Sequence, residues 1–316
     1  MDFSSAFNTI IPVKLFDKLV SLNVHPAICH WTLNFLLHRP QSVKVKNSLS
    51  KPVILNTGAP QGCVLSPFLF TLFTNDCVSG NQSVRVVKFS DDTIVIGCVN
   101  NANGSVYREE VQRLVGWCKN NNLVLNISKT KEMIIDFRKK KTPIHPLVID
   151  GTEVLQADSV KFLGSTISKD LSWCNNTIGI IKKAQKRMYF LRHLKRFGLS
   201  QAILTRFYRA VIESVLSFSI TVWFGRASQD EINQIESVVK NASKLIGLNM
   251  PSIRSLYLSR SLRKSKRIVQ DEYHPANHLF ELLPSGKRYR SIKTKTTRFN
   301  NSFYPQALRF LNGEPV

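Results

Sequence analysis

The sequence predicts an α+β protein: an antiparallel sheet with packed helices, then a helical region, then a basic C-terminal segment. Three observations carry this prediction. Through residue 170 the apolar residues switch irregularly between helical and alternating spacing. From 175 to 250 the spacing is helical and the composition basic, and from 251 to 316 the chain is rich in Ser, Lys and Arg with weak periodicity. The 316 residues suffice for one large domain or two of ordinary size, and a hydrophobic fraction of 43% is enough for real cores.

From the N-terminus, residues 11–22 (IPVKLFDKLVSL) set Leu15, Leu19 and Leu22 at helical spacing behind Pro12, which predicts a helix. HPAICHWTLNFLLH (25–38) predicts a second, stopped before Pro40. SVKVK (42–46) alternates as a strand does, and VILNTG (53–58) is its predicted hairpin partner. After the Gly58–Gly62 turn, LSPFLFTLFTND (65–76) predicts an apolar helix. VRVVKFSDDTIVIGCV (84–99) is two β-rich runs hinged on an acidic centre, the pattern of a hairpin. REEVQRLVGWCKNNN (108–122) is amphipathic and helical, LVLN and MIIDFR predict two strands, and VIDGTEVL (148–155) predicts a hairpin around Asp150-Gly151. No internal repeat is evident.

Composition narrows the function. The net charge is +23, with 17 basic and 10 acidic residues in 1–150 against 27 and 11 in 151–316. Such an excess favours a polyanionic partner, and the second half reads as the main phosphate-gripping surface. The six cysteines form no C-x-x-C pair and sit in core-like sequence, which argues against zinc or a disulfide framework and for a reducing, intracellular setting. No apolar run approaches the ~18–20 residues of a membrane span, and no signal-peptide pattern opens the chain, so neither a membrane partner nor secretion is expected. Met1 is followed at once by Asp2 and an apolar-aromatic pattern, which reads as a start in mid-structure.

Chemistry concentrates at SDDT (90–93). Adjacent carboxylates at a hairpin tip repel unless a cation neutralises them, and a hard divalent ion takes carboxylate oxygens together with substrate phosphates. A lone Asp-Asp dipeptide would still be read as a solvated turn. Two further segments change that reading. DFSSAFNTI (2–10) places an acid ahead of an aromatic, and GAPQGCVLSPFLF (58–70) is a Gly-Pro-Gln-Gly turn entering an apolar helix.

In this order the segments resemble the reverse transcriptase family, specifically the polymerases of LINE-type (non-LTR) retrotransposons. The resemblance implies that Asp2, Asp91 and Asp92 are catalytic, metal-binding carboxylates for Mg²⁺ (or Mn²⁺). It assigns Phe7 to the floor under the incoming sugar, Gln61 and Gly62 to contacts with nucleotide and template, and Lys129 of NLVLNISKTKEM (122–133) to the nucleotide as well. VKFLGSTISKDLSW (160–173) matches a primer-grip hairpin centred on Phe162, Leu163 and Gly164. NTIGIIKKAQKRMYFLRHL (176–194) and FYRAVIESVLSF (207–218) resemble the thumb, with Lys182, Lys183, Lys186 and Arg187 on nucleic acid. HPANHLFELLPSGKRYRSI (274–292) and NSFYPQALRFLN (301–312) resemble the closing segment of such reading frames. The implied organisation is a palm (1–174), a helical thumb (175–250) and a basic C-terminal segment (251–316), acting on RNA template, DNA primer and dNTP.

Departures are equally visible. The fingers that precede the first acid in this family are not in the sequence, and Asn8 stands where these elements often carry a second acid. The expectation is therefore an RNA-directed DNA polymerase remnant, by descent a two-metal nucleotidyltransferase, inactive as this fragment. A non-catalytic RNA- or DNA-binding remnant is the alternative. The basic stretch near 181–200 also resembles distantly the N-terminal segment of an AlkB-type tRNA-modifying oxygenase, but the seven histidines include no H-x-D motif. The basic clusters at Lys139–Lys141 and Arg263–Arg267 suit either nuclear import or template contact, leaving nucleus and cytoplasm both open.

Overall fold

A computed structural model describes residues 1–99, 104–140 and 144–313. They form two compact units, 1–158 and 159–316. Helices and strands are mixed, as the sequence predicts.

The first unit opens with a short 3₁₀ turn, Ala6–Asn8, and then α1 (Pro12–Ser21) and α2 (Pro26–Leu36). Each helix has proline in its first turn, where the missing N–H costs nothing. β1 (Arg39–Gln41) pairs antiparallel with β4 (Val53–Leu55) and encloses the small hairpin of β2 (Lys44–Val45) and β3 (Ser48–Leu49). The predicted pairing of 42–46 with 53–58 is thus replaced by 39–41 with 53–55, because four residues in the interior fold back first. Next come α3 (Leu65–Phe73), the hairpin of β5 (Val84–Phe89) and β6 (Asp92–Gly97), and α4 (Ser105–Asn120).

Beyond α4, the predicted strand MIIDFR does not form. Only Lys131–Glu132 (β7) is extended and paired, in parallel with β10 (Leu155–Gln156), while β8 (Val148–Ile149) and β9 (Thr152–Glu153) make the predicted hairpin. Among the described residues the strands therefore form separate pairs, one of them parallel, where the sequence predicts an antiparallel sheet. Apart from β5 and β6, of six residues each, the strands run two to four residues and offer too few ladder hydrogen bonds to build a broad sheet. Two apolar clusters compensate. Phe3, Ile10, Leu15, Leu19, Leu36, Phe70 and Phe73 form one, and Val111, Val115, Leu147, Ile149 and Val154 the other. α4 supplies both, with Cys118 in the first and Val111 and Val115 in the second.

The second unit begins with the hairpin of β11 (Ser159–Phe162) and β12 (Ser165–Ser168), and continues with α5 (Cys174–Arg196) and α6 (Gln201–Phe207). A π-helical turn at Tyr208–Glu213 leads into α7 (Ser214–Leu216) and α8 (Ile220–Trp223). α9 (Gln229–Ile246) packs along α5, and α10 (Ile253–Gln270), α11 (Thr297–Asn300) and α12 (Phe303–Leu311) complete the unit's helices. Contrary to the expectation from the sequence, the stretch Gln201–Arg226 is long and apolar enough to cross a membrane. One face of it has another use: Tyr208, Ile212, Leu216, Ile220 and Trp223 are buried in the unit's main core. Residues 251–313, for all their weak periodicity, are nonetheless folded. α10 buries Tyr257 and Ile268, and a small core joins Ile268 to Ala276, Phe280, Ala307 and Leu308.

Candidate active site and nucleic-acid interface

The segment carrying Asp2 is held on both sides. Phe3 bridges Leu125 in antiparallel fashion, Ser4 N donates to Val124 O at 2.8 Å, and Asn126 N donates to Asp2 O at 2.9 Å. Asp2 N donates to Thr130 Oγ1 at 3.2 Å. On the opposite flank the Met1 amine donates to Thr93 O of β6 at 2.7 Å. Burial holds that amine below its usual range, and the Asp2 and Asp92 carboxylates pull it the other way. Asp2 and the hairpin acids thus belong to one neighbourhood, and Asp2 is not on a frayed end.

The β5–β6 register sets the other two acids. Phe89 pairs with Asp92, so Ser90 and Asp91 form a two-residue loop, with Ser90 in the left-handed region (φ 55°). Directly paired residues share a face, and here Phe89 and Asp92 are both exposed while Thr93, pointing the other way, is buried. Asp91 is half-buried at the tip. No hydrogen bond reaches the carboxylates of Asp2, Asp91 or Asp92 from another described residue. Uncommitted oxygen donors of this kind fit a hard divalent ion such as Mg²⁺. The expected convergence into one metal-sized cage is not found, however: no three acidic, His or Cys side chains are gathered closely enough among the described residues. The alternation along β6 is the reason, since it turns Asp92 toward the exposed face of the ribbon.

A second cluster gathers Phe7, Asn8, Gln61 and Gly62. Ala59 N donates to Phe7 O and Gly58 N to Ile10 O, each at 2.7 Å, which clasps the 3₁₀ turn against the 58–62 loop. The Phe7 ring lies 5.3 Å from that of Phe70. Gln61 Nε2 reaches toward Asn8 Oδ1 at 3.4 Å, and Gly62 (φ 83°) faces open space. The Ser66 hydroxyl donates to Pro60 O and lies 2.9 Å from Cys63 Sγ. Lys129 is exposed on a turn anchored by Asn126, next to the Thr130 that binds Asp2.

In the second unit the β11–β12 hairpin turns through Leu163 (φ 45°) and Gly164 (φ 81°), both left-handed, as a two-residue turn that matches strand twist requires. A Cβ at Gly164 would meet the Phe218 ring at 2.8 Å, while Phe162 is half-buried and Leu163 exposed. On α5, Lys182, Lys183 and Lys186 are exposed beside Tyr189 and Phe190. Arg187 does not join them: its guanidinium donates to Val211 O at 2.5 Å and braces the π-helical turn. Residue type alone does not tell a phosphate contact from a buried strut. The roles of Thr130 and Gly58 are likewise absent from the sequence prediction, although the Asn126-x-Ser-Lys-Thr spacing signals an Asx turn.

Comparison with known proteins agrees with the ordered motifs. Residues 1–167 match the family described as reverse transcriptase (RNA-dependent DNA polymerase). Residues 173–214, spanning α5, α6 and the π-helical turn, match the N-terminal segment of alkylated DNA repair protein alkB homolog 8. The chain is similar to a probable RNA-directed DNA polymerase from transposon BS of Drosophila melanogaster, 26% identical across 92% of this chain and 33% of the relative. It is also similar to the RNA-directed DNA polymerases from mobile element jockey of D. melanogaster and D. funebris, at 22% and 23% identity over 84% and 98% of this chain and 30% and 36% of theirs. The chain spans about a third of the length of these relatives. With over half of its length in the matched region and its relatives among transposon polymerases, the chain belongs to the reverse transcriptase family of LINE-type elements.

Proposed function

We propose that this chain is the palm (1–174), thumb (175–250) and basic C-terminal segment (251–316) of an RNA-directed DNA polymerase remnant, with RNA template, DNA primer and dNTP as its partners. The observation that carries the reading is the lacing of the Asp2 segment between Thr93 and the 124–130 turn, which sets the first acid beside the acidic hairpin. Asp2, Asp91 and Asp92 would hold Mg²⁺ (or Mn²⁺), which supplies charge neutralisation to the attacking and leaving oxygens of nucleotidyl transfer. Phe7 floors the sugar site and disfavours a 2′-hydroxyl, and Gln61 and Gly62 offer an amide and a bare backbone to nucleotide and template. Lys129, exposed on its turn, would neutralise the departing pyrophosphate. Phe162, Leu163 and Gly164 present the primer end, and Lys182, Lys183 and Lys186 grip the backbone. Six free cysteines are in keeping with an intracellular setting, nuclear or cytoplasmic.

As it stands the chain is proposed to be inactive. Phosphoryl transfer depends on alignment, and ungathered carboxylates cost orders of magnitude in rate. Primer extension with Mg²⁺ or Mn²⁺ tests this. No extension is expected from the chain alone, whereas fusion to the upstream portion of an intact relative should restore it, and Asp91→Ala in that fusion should abolish it. Robust extension by the chain alone would refute the inactivity, and a fusion indifferent to Asp91→Ala would refute the catalytic assignment. The second reading, a purely nucleic-acid-binding remnant, rests on the three acids not being gathered into a metal-sized group among the described residues, and it predicts binding without turnover in both proteins.

A further inference from the structure

Arg39, the first residue of β1, commits its guanidinium to backbone. Nε donates at 3.0 Å to the carbonyl of Leu36, the last residue of α2, where helix carbonyls lack partners within the helix. Nη2 donates to Thr57 O at 2.7 Å and to Gly58 O at 2.8 Å. Successive carbonyls of an extended chain point to opposite sides, so two on one nitrogen require a turn between them. Gly58 supplies it with φ 73°. The planar fork of an arginine suits such a contact, because its N–H groups point in fixed directions. Arg39 thus fastens the turn that opens the 58–62 loop. An arginine serving only the β1–β4 ribbon would bond within it, but Thr57 and Gly58 lie beyond Leu55, the last paired residue of β4.

The same turn holds the Phe7 segment. Gly58 N donates to Ile10 O, Ala59 N donates to Phe7 O, and Gly58 packs so close to Asn8 that a Cβ would meet its Cα at 2.7 Å. From the carbonyl that Arg39 grips to the carbonyl of Phe7 the path is backbone alone, with no flexible side chain in between. We propose that Arg39 is a positioning residue: it sets the height of the Phe7 ring and, through it, the preference for a deoxyribose over a ribose. The inference rests on the assignment of Phe7 to the sugar site and names what holds it there. Phe70, 5.3 Å away, supports the ring from the side of the core but leaves the Phe7 backbone to the clasp.

Isothermal calorimetry of the full chain with dCTP and with CTP, each in Mg²⁺, tests the assignment. The unsubstituted chain is expected to bind dCTP more tightly. Arg39→Ala frees the turn and lets the Phe7 ring recede, and it should bring the two dissociation constants within about twofold of each other through tighter CTP binding. A gain in CTP affinity is not what lost stability produces, since that weakens both ligands alike. Arg39→Lys keeps the charge without the fork and should fall between the two, which preserves the test if Arg39→Ala does not fold. If the unsubstituted chain binds neither triphosphate, or both equally, the sugar-site reading of Phe7 fails and the inference with it. If that chain prefers dCTP and a folded Arg39 variant keeps the same ratio, the positioning role alone is overturned.

Discussion

At the residue scale, Gly58 and Gly62 differ in what surrounds them although both have positive φ. A Cβ at Gly58 (φ 73°) would come within 2.7 Å of Asn8 Cα and 2.9 Å of Asn8 O, backbone atoms that cannot swing aside. At Gly62 nothing lies within 4 Å, so only the left-handed strain of about 1 kcal/mol opposes a side chain. Gly58→Ala is therefore expected to destabilise the chain by about 2–4 kcal/mol and Gly62→Ala by about 1 kcal/mol in urea unfolding. Equal losses would show that the 58–62 loop yields freely and that Asn8 is not clasped. The sequence marks both glycines as turn residues without separating them, because the close approach comes from a segment fifty residues away. Arg187 carries the same lesson: its sequence neighbours are exposed lysines, but the helix places its guanidinium on the carbonyl of Val211.

At the scale of elements, α4 is fixed to the turn between α3 and β5 through one acid. Glu110 is buried and accepts from Gly80 N at 2.9 Å, Ser79 Oγ at 3.1 Å and the Arg113 guanidinium at 2.7 Å. The Arg113 hydrogen bonds hold its carboxyl below the usual 4.5. The unfolded chain then takes up the proton first, so the stability this carboxylate contributes is present above about 4.5 and lost as pH falls through the folded value. Glu110→Gln should cost about 1.5–3 kcal/mol at pH 7 and flatten the acid loss of stability between pH 5 and 3. An acid slope identical to that of the parent chain would exclude this role. α9 begins with a capping box, Ser228 accepting from Glu231 N at 3.2 Å and Ser228 N donating to Glu231 Oε2 at 2.7 Å. Ser228→Ala should lower stability by about 1 kcal/mol, measured by chemical denaturation. The S-x-x-E spacing is legible in the sequence, though it is not among the predicted helix starts; that Glu231 also accepts from Thr177 of α5 is not legible there.

At the scale of the whole molecule, basic charge and the ordered motifs make a joint prediction. Charge reversal at Lys182, Lys183 and Lys186 together should weaken RNA or RNA–DNA duplex binding uniformly across sequences and reduce the salt slope by about 2–3 units, read from affinity between low and high salt. A slope unchanged by the triple reversal would place the duplex elsewhere. The sequence by itself determined the family, the order of its motifs, the hairpin at 84–99 and most helices of both units, because caps, turns and periodicity act over a few residues. Only the tertiary structure decided which side Asp92 faces, which hydroxyl receives the Asp2 amide, and that Gln201–Arg226 supplies a buried core where composition alone would allow a membrane span. The Asp2 contact and the buried core rest on residues tens to more than a hundred positions apart, of which local spacing holds no record, whereas the side Asp92 faces is fixed by the register of its own hairpin.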